Sequence, residues 1–167
     1  MKRILMIAVA LLPLMLMAQA RIGIVNSQDI FELMPEEAAA EAQLKAMSEK
    51  YHAEYELLRG EFDKKYADYQ TVAADASMPE TIKERRVQEL QESDKKMREF
   101  ERKAADDLAA RRTALTQPIT DKIQAAIRAA GEQGGFDLVF DTAVTPVAYT
   151  GPNTVDITPM VKSILGL

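Results

Sequence analysis

Apolar positions along this chain follow distinct rhythms, and each predicts a different element. From Leu44 the bulky residues run Leu44, Met47, Tyr51, Tyr55, Leu58, Phe62, Tyr66 and Tyr69, then Val72 or Ala73, in steps of three and four throughout. That spacing lays a stripe along one side of a helix and asks for a partner helix. A second stripe answers it with Ile82, Leu90, Met97, Ala104, Leu108 and Leu115, several of them seven apart, and broadens through Ile119, Ile123 and Ile127. Ser93, Asp94 and Arg111 interrupt the second stripe, so the seam between the two helices is expected to be thin and partly polar. Between the stripes, Ser77-Met78-Pro79-Glu80 has the spacing of a capping box, with the Ser77 hydroxyl accepting from the Glu80 N–H and Pro79 in the first turn. The tip of a helical hairpin therefore falls near 77–79, and an arm of roughly 40 residues at about 1.5 Å each reaches on the order of 60 Å. Pro118 removes a backbone donor and crowds the carbonyl of Ala114, which predicts a kink or restart there, with Thr116 or Gln117 available as a cap.

The two ends read differently. Ile22 to Val25 is a short alternating strand, Asn26 and Ser27 open a turn or helix, and Pro35 with Glu36 and Glu37 starts the outgoing arm. At the other end Gly131, Gly134 and Gly135 end a helix, Phe136 to Phe140 is a strand, Val147 to Tyr149 a second one, and Gly151-Pro152 a turn. Thr158 is expected to N-cap a short final helix with Pro159 at its first position. A few short strands are marginal in isolation, so the first must pair with those at the other end. The fold class that follows is mainly α with a small β-body (α+β), a long antiparallel helical hairpin being inserted between strands. With little core per chain, several copies are expected to pool their strands.

The first twenty residues have the pattern of an export signal. Lys2 and Arg3 give a positive start, Ile4 to Met17 is apolar, and Ala18-Gln19-Ala20 supplies the small residues a signal peptidase requires, making Arg21 the new N-terminus. The apolar run is shorter than the roughly 18 residues needed to span a bilayer and contains Pro13, so stable insertion of the mature chain is not expected. The parts are then 1–20 signal peptide, 21–34 and 131–167 the two halves of the body, and 35–130 the arm. The simplest destination is a bacterial periplasm.

Charge and chemistry narrow the function further. Without Lys2 and Arg3 the chain carries about −7, against nucleic-acid binding. Cysteine is absent, which removes disulfides, thiol nucleophiles and thiolate metal sites. His52, the single histidine, has no partner for a metal, and the carboxylates alternate with lysines and arginines on exposed faces. Neither G-x-x-x-x-G-K-[ST] nor G-x-G-x-x-G occurs. No catalytic residue, metal site or cofactor is therefore assigned, and an enzyme is not expected.

The segments "IGIVNSQDIFELMPE", "PITDKIQAAI", "FDLVFD" and "DITPMVKSILGL", with the alanine-rich hairpin between the first two, resemble the OmpH/Skp family of periplasmic chaperones. The resemblance implies a homotrimer with a β-barrel-like core and three helical tentacles around a cavity. That cavity would hold unfolded outer-membrane β-barrel proteins without nucleotide until they insert. Unfolded barrel chains expose alternating apolar residues and unpaired strand edges, which aggregate unless sequestered. The best-known member is strongly basic. Here Glu36 to Ala76 carries 10 acidic and 5 basic residues and Glu80 to Ala130 carries 10 and 12, so lipopolysaccharide binding is not carried over.

Candidate client contacts are Leu57, which lies off the outgoing stripe, and Met78, flexible and at the tip. Lys83, Arg85 and Arg86 form a basic cluster just beyond it, for which a solvated face of helical ion pairs is the favoured reading and client contact the alternative. The arm tyrosines and Phe62 are assigned to the seam. The competing reading is a structural coiled-coil spacer or assembly protein of the envelope, with one fixed folded partner.

Overall fold

The computed structural model describes residues 20–167. The signal-peptide expectation lies outside the described residues. Seven elements follow in order: β1 (Ile22–Val25), α1 (Ser27–Phe31), α2 (Pro35–Ala74), α3 (Glu80–Gly134), β2 (Leu138–Asp141), β3 (Thr154–Asp156) and α4 (Thr158–Leu165). Mutual contacts divide them into two units, one taking the chain up to Pro35 and again from Pro118 to Leu167, the other Glu36–Gln117. Among the described residues no helix is long and apolar enough to cross a membrane.

Unit 1 is built on an open three-stranded sheet in the order β2-β1-β3. Both neighbours run parallel to β1: Ile22, Gly23 and Ile24 lie opposite Leu138, Val139 and Phe140 on one side and Thr154, Val155 and Asp156 on the other. Parallel pairing requires a long crossover between strands, and the whole hairpin is inserted there. Gly23 and Val25 are buried beneath the sheet, with Val25, Ile30, Met34, Ile119, Ile123, Ala126, Ala130, Ile157 and Val161 forming one core. Gly23 matters for its missing side chain: a Cβ there would stand 3.3 Å from methyl groups of both Ile157 and Val139.

Polar groups fasten the ends of these strands. The Asn26 side chain accepts from the N–H groups of Gln28 and Asp29 at 3.1 and 3.3 Å, capping α1. The backbone of Asn26 donates to the Thr158 hydroxyl at 3.3 Å, and Asp156 in turn accepts from the Thr158 N–H at 2.9 Å. This corrects the expected cap of α4. Ile157 occupies the cap position and Thr158 is already helical, because its hydroxyl is committed across the sheet to the exit from β1. At the end of α3, Gly135 takes the left-handed conformation at φ 62°. The Phe136 N–H then reaches the Gly131 carbonyl at 3.0 Å and the Gly135 N–H that of Glu132 at 3.2 Å, the paired bonds of a Schellman turn.

Three other expectations are corrected. Val147 to Tyr149 is not a strand: Pro146 precedes it, and Val147 and Tyr149 are exposed. The third strand is Thr154–Asp156, which follows a turn closed by the Thr154 N–H on the Gly151 carbonyl at 3.0 Å. At the tip the Ser77 hydroxyl and N–H both donate to the Asp75 carboxylate, at 2.6 and 2.7 Å, and α3 begins only at Glu80. An Asx turn thus replaces the capping box, since a carboxylate two residues upstream reaches Ser77 first. Finally, of the kink or restart expected at Pro118, the restart does not occur, since α3 continues through Pro118 as one helix. A proline inside a helix costs about 3 kcal/mol. Burial of Ile119 and Ile123 just beyond it, at about 1.5–3 kcal/mol each, outweighs that cost.

Candidate functional site

In unit 2 the two helices are joined by a ladder of polar contacts. Ascending α2, Gln43 accepts from Arg111 at 3.0 Å, the Tyr51 hydroxyl donates to Asp107, and Tyr55 is hydrogen-bonded with Glu101. Above them Glu61 pairs with Lys96 at 3.9 Å, Lys65 donates to Ser93 at 3.4 Å, and Asp68 faces Arg86. Each step up α2 is a step down α3, so the helices are antiparallel. Of the residues expected to interrupt the second stripe, Arg111 and Ser93 are rungs of this ladder, and Asp94 turns to Arg98 on its own helix.

Apolar packing between the rungs is sparse. Leu44, Leu58 and Ala104 are buried, and the Tyr51 ring meets Phe100 edge-on with centroids 5.9 Å apart. Tyr51 and Tyr55 are therefore seam residues, as their spacing predicts. Hydrogen bonding to Asp107 and Glu101, respectively, raises the pKa of each phenol above its ordinary value. Both remain donors through the physiological range.

The five candidate contact residues fall into two places. Leu57 projects from the middle of α2 and is 66% exposed, whereas its neighbour Leu58 is 6% exposed. The remaining four surround the tip, roughly 25 Å of helix away. Met78 is half-buried there, in the turn between α2 and α3. Lys83 lies 4.0 Å from Glu80, Arg85 3.5 Å from Glu89 and Arg86 2.7 Å from the same carboxylate. Arg86 is the main cause that holds Glu89 below the usual carboxylate range. The basic cluster is thus largely neutralised by its own helix. The large apolar side chains that unit 2 leaves open are Leu57 and Tyr66, the latter 46% exposed and so outside the seam to which its spacing assigned it. His52 is exposed.

A second open surface belongs to unit 1. Ile22 and Ile24 are half-buried, and their register partners Leu138 and Phe140 are 49% and 37% exposed. In-register residues of a parallel sheet share a face, so these four make an apolar face opposite the core. Parallel sheets are ordinarily covered on both faces. Leu138, Val139 and Phe140 are consecutive apolar residues, so the sequence does not say which face of this strand turns inward. A pocket of about 340 Å³ at the strand ends is lined by Asn26, Asp29, Thr142, Asp156, Thr158 and Lys162 among others. Asn26, Asp156 and Thr158 are already engaged in the capping bonds of α1 and α4, so its main polar groups serve the fold. Among the described residues no group of three or more His, Cys, Asp or Glu side chains is placed to hold a metal ion.

Comparison with known proteins gives this arrangement a context. The family described as Outer membrane protein (OmpH-like) matches residues 21–165, nearly all of the chain after the leader-like segment. The chain belongs to this OmpH-like family. Its fold is similar to the crystal structure of a proposed OmpH-like outer membrane chaperone from Caulobacter crescentus, with a TM-score of 0.67 and 16% identity over 89% of this chain and 85% of that one. At that identity the likeness is one of fold. No curated protein matches the chain. Membership in the OmpH-like family supports a chaperone role.

Proposed function

We propose that the mature chain, Arg21 to Leu167, is an ATP-independent holdase of the bacterial periplasm, which binds unfolded outer-membrane β-barrel proteins and keeps them from aggregating before insertion. The observation that carries this reading is the OmpH-like family match across residues 21–165. The distribution of surface supports it. Unit 2 closes its seam with polar rungs and leaves Leu57 and Tyr66 outward, separate apolar contacts suited to weak, dispersed binding. Unit 1 leaves an apolar sheet face that further copies of the chain would cover, and a homotrimer pooling its strands into a barrel-like core accounts for it. In that assembly three helical arms would bound the cavity that holds the client. The function needs no cofactor or catalytic group.

The test dilutes a urea-unfolded outer-membrane barrel protein into buffer with the mature chain and no nucleotide, following light scattering and sizing the complex. Suppressed aggregation, with one client held per three copies, is the expected result. Unchanged aggregation with several unrelated clients, together with saturable binding of one folded envelope partner, would replace the holdase with the spacer reading. Within the holdase reading, Met78→Ser is expected to weaken client holding more than Tyr55→Ser, which acts through the seam. If the tip change leaves client affinity intact, Met78 is not a contact.

A further inference from the structure

Arg21 is held from four directions by the turn between α3 and β2. Its backbone N–H donates to Asp137 Oδ2 at 2.8 Å, and its carbonyl accepts from the Asp137 N–H at 3.0 Å. Its Nη1 donates to the Gly134 carbonyl at 2.6 Å, and its guanidinium lies 4.8 Å from the centre of the Phe136 ring. The sequence independently makes Arg21 the residue after Ala18-Gln19-Ala20, the small-residue cleavage pattern. The atom that a signal peptidase would release is therefore the one already facing the Asp137 carboxylate.

We propose that leader removal creates a structural ion pair: the α-ammonium uncovered on Arg21 pairs with Asp137 and fastens β1 to the start of β2. Hydrolysis of the Ala20–Arg21 bond adds water across the amide. The hydroxyl goes to the Ala20 carbonyl carbon, which leaves with the leader as a carboxylic acid and gives its proton to solvent to become a carboxylate, and the other hydrogen of the water goes to the Arg21 nitrogen. That amine takes a further proton from solvent near neutral pH, because α-amines ordinarily titrate near 7.7–8.0. A neutral peptide N–H with one donor becomes a cation with three donors, at hydrogen-bond distance from an anion. The charged groups facing it are Asp137 and the guanidinium of Arg21 itself, and the latter is drawn away onto the Gly134 carbonyl and the Phe136 ring. The inference rests on the export part of the proposed function and not on the chaperone part.

A carboxylate in contact favours the charged amine, so the folded-state pKa lies above the unfolded one. The stabilisation is then fully present below about pH 7.7 and is lost as pH rises through the folded value. The experiment first determines the N-terminus of the exported protein by intact mass. Then the α-amine of full-length mature chain is titrated by NMR, in wild type and in Asp137→Asn, which keeps an accepting oxygen and removes the charge. Expected are a start at Arg21, a wild-type pKa raised by about half a unit or more above the ordinary range, and its return to that range in the variant. A chain acetylated on Arg21 gives the control: Asp137→Asn is expected to lower Tm more in the free-amine chain than in the acetylated one at pH 6.5, and equally at pH 10. An N-terminus other than Arg21, an ordinary amine pKa in wild type, or equal Tm losses in both chains at pH 6.5 would each overturn the proposal. If Asp137→Asn fails to fold, the wild-type titration with and without urea decides it. Holdase activity can fail while these results stand, so the two readings are separable.

Discussion

Leu57 and Leu58 are neighbours of identical chemistry with opposite environments, which makes truncating each to alanine a direct test of how α2 is oriented. Leu58 is 6% exposed, so Leu58→Ala loses nearly its whole buried side chain. Leu→Ala in a core costs 2–5 kcal/mol, and a seam with so few buried neighbours belongs at the low end, about 2–3 kcal/mol. Leu57 is 66% exposed, and Leu57→Ala is expected to change stability by no more than about 0.5 kcal/mol. Helix propensity does not confuse the comparison, because alanine and leucine are both strong helix formers. At about 1.4 kcal/mol per tenfold, the Leu58 change corresponds to roughly 30- to 150-fold less amide protection around the middle of α2. Native-state hydrogen exchange measures this, with urea unfolding followed by circular dichroism as a second readout. Client holding is expected to show the reverse order, Leu57→Ala weakening it and leaving protection intact. Equal protection in the two variants would refute the assignment of faces, and a Leu58→Ala loss below about threefold would refute the claim that this side chain holds the seam.

Two smaller tests address the fastenings. Thr158→Val keeps the shape but removes the acceptor from the Asn26 N–H, and is expected to cost about 1–2 kcal/mol in thermal unfolding, with Thr158→Ser milder. At the tip, the Ser77 hydroxyl and then its N–H hold the Asp75 carboxyl below its ordinary 3.8. The tip contribution is therefore present above about pH 3.8 and lost as pH falls through the depressed folded value. The Ser77 amide shift, followed by NMR, is expected to titrate below 3.8 in wild type and not at all in Asp75→Ala, and a midpoint at or above 3.8 would contradict the Asx turn.

Long-period features were legible from the amino-acid pattern because they depend on many residues at once. The stripe from Leu44 to Tyr69, apart from the exposed Tyr66, and the reversal near 77–79 are of this kind, while the strand Ile22 to Val25 and the Gly131–Gly135 helix end were legible from strong local signals, apolar β-formers and glycine. What failed depended on one or two atoms. Thr154–Asp156 has a single apolar residue and becomes a strand only because β1 offers a free edge, whereas Val147 to Tyr149 has the better composition and no such partner. Ser77 and Thr158 have cap-forming side chains, but each hydroxyl is used elsewhere, on Asp75 and on the Asn26 N–H. Propensity ranks local partners and is blind to a distant one. For the candidate site, exposure of Leu57 followed from its phase against the stripe. The neutralisation of Lys83, Arg85 and Arg86 was visible only as one of two readings, because spacing permits an ion pair without enforcing it.

The two units differ in what they leave unsatisfied, and that difference separates self-association from client binding. Unit 2 pairs most of its seam polar groups across the ladder, Arg86 Nε being buried without a partner, so extra copies would gain little by covering it. Unit 1 has a parallel sheet with Ile22, Ile24, Leu138 and Phe140 on its open face, outside the buried core. Phe140 is 37% exposed, so Phe140→Ser removes apolar surface that other copies would cover while sparing the core that folds the subunit. The variant is therefore expected to sediment as a smaller species at micromolar concentration with its helical circular dichroism retained. Unfolding of the subunit itself would show that Phe140 belongs to the fold. An unchanged oligomer mass would move the interface off this face and remove the physical ground for placing strand pooling there.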